Sequence, residues 1–207
     1  MENKKKRGMN TALMAQVALL VAIMLVMQFT GLNSIRIGPL KMSFMTLPVA
    51  IGAMLVGPAA GTILGTVFGL LSFWSAVAGS VGLTTFFFQY KPFSTFMLCV
   101  VMRALMGLCC GLIFKLVSKL DRDEKTWSYF VGALSAPLLN TIFFMGYIVL
   151  FFYQTEIVQN KVAELGAANP FMYVILLVGV QGLIEAVTVA ILGGILAKVL
   201  SKVIKKG

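Results

Sequence analysis

Histidine is absent from all 207 residues, which removes imidazole metal ligands, His general bases and His proton relays. Acidic residues are scarce too. Seven Asp and Glu stand against 17 Lys and Arg, and charged side chains make up 12% of the chain, where soluble domains carry about 25%. The three cysteines, Cys99, Cys109 and Cys110, fall within one apolar run. Their odd number and their setting fit neither a disulfide framework nor a zinc spacing, so they read as small buried hydrophobes. A G-x-x-x-x-G-K-[ST] loop, a G-x-S-x-G elbow, an H-E-x-x-H pair and a metal-holding carboxylate cluster are all missing. The chain is therefore read as a non-enzyme that needs no metal and no cofactor. Any ATP hydrolysis that energises it must reside in another subunit.

What the chain has in abundance is apolar surface: 59% hydrophobic residues and a mean hydropathy of +0.96 exclude a soluble globule. The net charge of +10 could suggest nucleic acid, but the charges sit in short stretches between long apolar runs and do not line a polar face. A lipid membrane is the expected partner and nucleic acid is not. The runs are Asn10 to Phe29, Met42 to Leu55, Ala59 to Ala78, Phe93 to Phe114, Tyr129 to Tyr153 and Phe171 to Leu196. At about 20 residues per span, they predict an all-α integral membrane protein with six transmembrane helices forming one domain over residues 1–207. The first run is too long for a cleaved signal peptide and stays as a helix. The second is short, and Gly57-Pro58 leaves almost no loop before the third, so these two form a tight hairpin or a partly re-entrant pair.

Orientation follows from the retention of Lys and Arg on the cytoplasmic side. With both termini inside, that side collects Lys4, Lys5, Lys6, Arg7, Lys115, Lys119, Arg122, Lys125, Lys198, Lys202, Lys205 and Lys206. Arg36, Lys41, Lys91 and Lys161 fall outside, and Arg103 lies within the fourth span. This split predicts a multi-pass plasma-membrane protein with cytoplasmic N- and C-termini.

The expected outer loops, Gly31 to Lys41, Gly79 to Pro92 and Gln154 to Pro170, are chemically richer than the inner turns. They bring Asn33, Arg36, Gln89, Tyr90 and Lys91 to a ligand arriving from outside, while Phe86, Phe87 and Phe88 serve either that ligand or an interfacial aromatic belt. Inside the spans only Arg103 and Glu185 are charged, and intramembrane charge needs a partner or a wet cavity. A rise of 1.5 Å per residue puts them about 15 and 22 Å deep. Two readings stay open: Arg103 pairs with Glu185, or it faces the cavity and binds a carboxylate or phosphate in bidentate fashion. Asn140, Gln181 and Tyr147 suit either a small polar ligand or helix-to-helix hydrogen bonds. Trp74 either stacks on a flat ligand or sits at the interface.

Gly57, Gly61, Gly65 and Gly69 recur at every fourth position, and Gly107 and Gly111 repeat the spacing. Such faces let helices approach closely in lipid. Ala12, Ala15, Ala18 and Ala22 make a comparable stripe on the first helix, suited either to packing within the chain or to docking another membrane protein.

The stretch Leu47-Pro48-Val49-Ala50-Ile51-Gly52-Ala53-Met54-Leu55-Val56-Gly57-Pro58-Ala59-Ala60-Gly61, followed by Gly65, Gly69, Ser72 and Phe73, resembles the second and third helices of the substrate-binding S components of energy-coupling factor (ECF) vitamin transporters. Ala12-Leu13-Met14-Ala15 and Arg103 with Gly107 and Gly111 extend the similarity along nearly the whole chain. The resemblance implies a bacterial six-helix subunit that captures a vitamin from outside near the ends of helices four to six. It would then join a coupling membrane protein and two ATPases and topple in the membrane to release its cargo. The family's first helix often carries an Ala-xxx-Ala docking motif. Here Ala12 is followed by Gln16, and the intact motif is Ala18-xxx-Ala22. Asn140-Thr141-Ile142-Phe143-Phe144-Met145 looks most similar to pantothenate-type members, with riboflavin, folate, hydroxymethylpyrimidine and cobalamin precursors open. Competing readings are an ion-coupled secondary transporter, for which Glu185 is the one intramembrane acid, and a non-transporting assembly protein.

If the charge split sets the topology, a cysteine introduced at Asn33 or Gln89 should react with an impermeant reagent applied to intact cells. Reaction only in inside-out vesicles would reverse the orientation.

Overall fold

The structure is a computed structural model that describes residues 11–37, 40–79, 82–121 and 126–206. Lys4, Lys5, Lys6, Arg7, Arg122 and Lys125, which carry half of the predicted cytoplasmic charge, lie outside the described residues. Helix α1 (Thr11–Thr30) leads into a two-stranded antiparallel hairpin, β1 (Ser34–Ile37) and β2 (Leu40–Ser43), in which Ser34 pairs with Ser43. Then come α2 (Thr46–Leu55), α3 (Pro58–Val77), α4 (Leu83–Tyr90), α5 (Pro92–Phe96), a π-helical turn (Met97–Val101) and α6 (Met102–Leu120). The chain closes with α7 (Thr126–Phe151), α8 (Glu156–Leu165) and α9 (Pro170–Lys206).

Five helices are long and apolar enough to cross a membrane: α1, α3, the continuous helix Pro92–Leu120, α7, and α9 over Pro170–Val203. The expected second span, Met42 to Leu55, is not among them. Its first residues belong to β2, and the ten-residue helix α2 reaches only about 15 Å, half the hydrocarbon thickness. Its bounds are local chemistry. Pro48 is tolerated because it lies in the first turn, and the helix stops at Gly57, whose φ of 118° suits glycine alone and sets Pro58 at the start of α3.

The bundle is all-α as expected, and one short β1–β2 hairpin is added between α1 and α2. The other two segments expected as outer loops contain helices, because Leu83–Tyr90 and Glu156–Leu165 each have an apolar face to bury. Phe87 of α4 stacks on Phe152 at 4.3 Å between ring centroids, and Val158 of α8 is fully buried beside it. Phe88 meets Phe73 edge to face, so two of the three consecutive phenylalanines are packing residues.

Inside the bundle α2 is enclosed, touching α1, α3, α6, α7 and α9, and Thr46 and Pro48 to Met54 are buried. By contrast α1 and α9 leave most of their apolar residues exposed, which places those helices at the rim. The glycine stripe makes the tightest contact. A Cβ added at Gly61 would fall on the carbonyl of Gly107, one at Gly65 on that of Arg103, one at Gly69 on Cys99 and Val100, and one at Gly111 on Pro58. Gly57 is the exception, since nothing would meet its Cβ; it serves the turn.

The α3–α6 register, with the Cys110 to Gly132 hydrogen bond and the Lys198 to Thr126 hydrogen bond, puts the start of α1, the α2–α3 turn, the α6–α7 connection and the end of α9 at one end of the bundle. The hairpin, α4 and α8 crown the other. Two apolar cores result, one around Leu64, Met106 and Ala133 and one at the crowned end around Phe87, Ile148, Phe152 and Tyr173.

Gly65→Leu or Gly107→Leu should cost at least about 1–3 kcal/mol, since the new side chain meets backbone that cannot give way. Gly146→Ala, where nothing lies within reach, should be neutral or gain up to about 1 kcal/mol. Thermal unfolding in detergent separates the two classes.

Candidate functional site

Helix register brings the intramembrane polar residues to one level. The Gly65 contact sets Arg103 against α3. The Cys110–Gly132 bond and the Phe114–Tyr129 ring contact align α6 antiparallel to α7, which sets Arg103 level with Asn140. The close approach of Gly193 to Ala133, with Gly182 facing Thr141, aligns α9 with α7, which sets Asn140 level with Glu185. The start of α2 joins the same layer through hydrogen bonds that Thr46 Oγ1 and the Ser43 amide donate to Glu185 at 3.4 and 3.3 Å.

Arg103 is buried, at 7% exposure. Its guanidinium lies between the rings of Phe68 and Phe144, 4.5 and 4.7 Å from their centroids, and its Nη1 donates to the Cys99 carbonyl at 3.1 Å. Both contacts follow from helix geometry, because a helical side chain reaches back over the preceding turn. That turn is the π-helical one, a distortion frequent at functional sites. Each aromatic face contributes about 0.5–2 kcal/mol to a desolvated cation.

The Arg103–Glu185 ion pair open in the sequence does not form. Among the described residues the salt bridge that does form is Lys161–Glu164, on α8. Arg103 and Glu185 still lie within electrostatic range of each other. Two buried atoms in the layer have no hydrogen-bond partner, Nε of Arg103 and Oδ1 of Asn140. A buried polar atom left this way costs about 1–3 kcal/mol. The layer thus offers one cationic donor and one neutral acceptor, a set that suits a small anion bearing its own N–H or O–H.

The remaining sequence candidates are dispersed. Gln181 is half-buried, on the turn of α9 just before Glu185, and already engaged. Tyr147 stacks on Phe151 at 4.4 Å, one turn along α7 from Phe144. Asn33 donates to Gln28, which donates to Ser75, tying the end of α1 to α3. The Arg36 side chain lies outside the described residues. Gln89, Tyr90 and Lys91 are exposed; Lys91 sits over the Tyr90 ring, and Tyr90 lines a depression of about 330 Å³ with Phe87, Gln154 and Glu156. Trp74, 65% exposed, lines an apolar groove of about 530 Å³ with Phe29, Leu70 and Phe73. A third groove, about 410 Å³, runs between α7 and α9. Arg103 lines none of the three. Ala12, Ala15, Ala18 and Ala22 are all exposed.

Sequence reasoning missed Phe68, Phe144 and Thr46. Phe68 was findable, since it lies three positions after Gly65 and so beside the glycine face. Thr46 carried no such signal. Among the described residues no group of three potential metal ligands forms.

Residues 12–197 match the family described as "ECF transporter, substrate-specific component". The chain is 27% identical, over 99% of its length and 98% of the relative's, to a protein from Leuconostoc mesenteroides subsp. mesenteroides named pantothenate transporter PanT. The solved structure of ThiT from Listeria monocytogenes shares the fold, with a TM-score of 0.59 and 14% identity, covering 94% of this chain and 96% of that one.

Double-mutant cycles of Arg103→Met with Phe68→Leu and with Phe144→Leu, read by thermal unfolding, should give coupling energies of about 0.5–2 kcal/mol each. Additive behaviour would remove the aromatic sandwich as the means of holding the cation.

Proposed function

The chain belongs to the family of ECF transporter substrate-specific components, and from that membership we propose that it is the ligand-capturing subunit of an ATP-driven vitamin uptake system, with pantothenate as its ligand. The observation that carries this reading is a buried guanidinium without an acidic partner, whose free Nε shares a layer with the free Oδ1 of Asn140. Pantothenate fits that pair. It has one carboxylate for the guanidinium, and its amide N–H and hydroxyls can donate to an amide oxygen. The name of the Leuconostoc relative agrees.

In this reading Arg103 and Asn140 hold the vitamin, with Gln181 and Tyr147 bordering them. Asn33, Arg36, Gln89, Tyr90 and Lys91 belong to the extracellular entry, and Trp74, on its open apolar groove, faces lipid. The six-helix topology counts α2 as the second helix although it is half a span long. The shared end of α1 and α9 is cytoplasmic. The exposed alanines of α1 receive the coupling membrane subunit, which carries two ATPases, and the whole sits in a bacterial plasma membrane.

Purified protein titrated calorimetrically with pantothenate, riboflavin, folate and hydroxymethylpyrimidine should bind the first. Arg103→Ala should weaken binding by about 2–5 kcal/mol, and Asn140→Ala by about 1–3 kcal/mol. An unchanged affinity in Arg103→Ala would sink the site. Bulky residues at Ala18 or Ala22 should reduce co-purification with the ATPase-bearing complex and leave affinity intact, because close approach at a small-residue face is steric. The isolated chain in liposomes should bind without accumulating the vitamin under a proton or sodium gradient.

A further inference from the structure

Two opposite charges buried at one level of an apolar bundle attract each other strongly, because little solvent screens them. Arg103 and Glu185 are such a pair, yet they are not in contact. What the structure puts in place of that contact is a hold on Glu185 by a third element. Its Oε1 accepts from the Thr46 hydroxyl and its Oε2 from the Ser43 amide. These are the first residues of α2 and its approach. The α2 N-cap, Met45, supplies no side-chain hydrogen bond, so the Glu185 carboxylate, delivered from α9, stands at a helix N-terminus whose dipole favours an anion. Thr46 is fully buried on a helix that touches five others, and it cannot follow the carboxylate if the carboxylate moves.

We infer that Thr46 is a positioning residue for the ligand site: by holding the Glu185 carboxylate at the start of α2, it keeps that carboxylate off Arg103 and leaves the guanidinium available to an anionic ligand. The inference rests on the reading of Arg103 as the ligand's anchor. At 3.3 and 3.4 Å both hydrogen bonds are long, so the hold is a balance that loss of one hydroxyl can tip. Once released, the carboxylate competes with the ligand's own carboxylate for one guanidinium. The position of Glu185 thereby sets how much affinity for an anionic ligand the guanidinium keeps, without Glu185 itself touching ligand.

The test uses the full-length protein in detergent and two probes, pantothenate and pantothenol, its neutral alcohol analogue. Thr46→Val should weaken pantothenate binding roughly tenfold and leave pantothenol nearly unaffected, whereas Thr46→Ser, which keeps the hydroxyl, should bind both like the parent. Adding Glu185→Gln to Thr46→Val should restore most of the pantothenate affinity, because a neutral amide does not compete as an anion. Equal losses for the two probes, or no recovery in the double variant, would overturn the inference and make Thr46 a packing residue. Glu185→Gln alone guards against misfolding of Thr46→Val; it should bind pantothenate at least as tightly as the parent, and a weaker affinity would mean that Glu185 itself contacts ligand. A parent protein that ignores pantothenate would refute the ligand assignment alone, since a second readout needs no ligand. The thermal-unfolding cycle of Arg103→Met with Glu185→Gln should show larger non-additivity in the Thr46→Val background than in the parent, and equal non-additivity would refute the inference by itself.

Discussion

The backbones of α3 and α6 touch. Gly61, Gly65 and Gly69 on one side and Gly107 and Gly111 on the other leave no side chain at the points of closest approach, and the candidate site follows from that contact. In lipid, apolar side chains gain little by leaving the solvent for one another, so close van der Waals approach between small residues has to supply the adhesion. The same close contact fixes where Arg103 can go. With its own carbonyl pressed against Gly65, its side chain has the flank of the seam as its route, between Phe68 of α3 and Phe144 of α7.

The seam accounts for the position of the cation, and the π-helical turn accounts for its hydrogen bond. Neither supplies an anion. A buried guanidinium next to a carboxylate would ordinarily neutralise it, and a neutralised pair is a poor receptor for a third charge. Here the two charges have separate supports, aromatic faces and one carbonyl for Arg103, a hydroxyl and one amide for Glu185. The layer carries one charge of each sign while each end of it remains chemically distinct, and that leaves the guanidinium and the amide oxygen of Asn140 able to meet a small anion that brings its own donor.

Hydropathy alone located the long helices, because a run such as Phe171 to Leu196 has no other stable form in lipid. It failed at Met42 to Leu55, where two strand residues and a half-length helix have the same apolar composition as a span. Composition does not report length once Gly57-Pro58 cuts the run. The glycine repeat revealed the seam in advance, but it counted Gly57 with the others, since spacing cannot tell a packing glycine from one kept for positive φ. Arg103 and Asn140 stood out as rare polar residues in apolar runs. That Arg103 forms no ion pair with Glu185 did not, because it depends on the register of α6, α7 and α9; the bond from Thr46 to Glu185 was equally hidden, since that threonine is indistinguishable in sequence from any other. The outer aromatics misled: Phe87 and Phe88 pack inward on Phe152 and Phe73.

The shortness of α2 also bears on how the layer is reached. A full span there would run on past Thr46 toward the crowned end for about another 15 Å, and reaching Arg103 from that end would require withdrawing a rigid rod with all its internal hydrogen bonds from the bundle. A hairpin takes up the chain instead. Among the described residues, the hydrogen bonds at its base include Asn33 to Met27 and Gln28 on one side and Ser43 to Glu185 on the other. Parting such bonds melts no helix, and in the proposed reading the same Ser43 amide that steadies the acid is one that a ligand arriving past the hairpin would loosen.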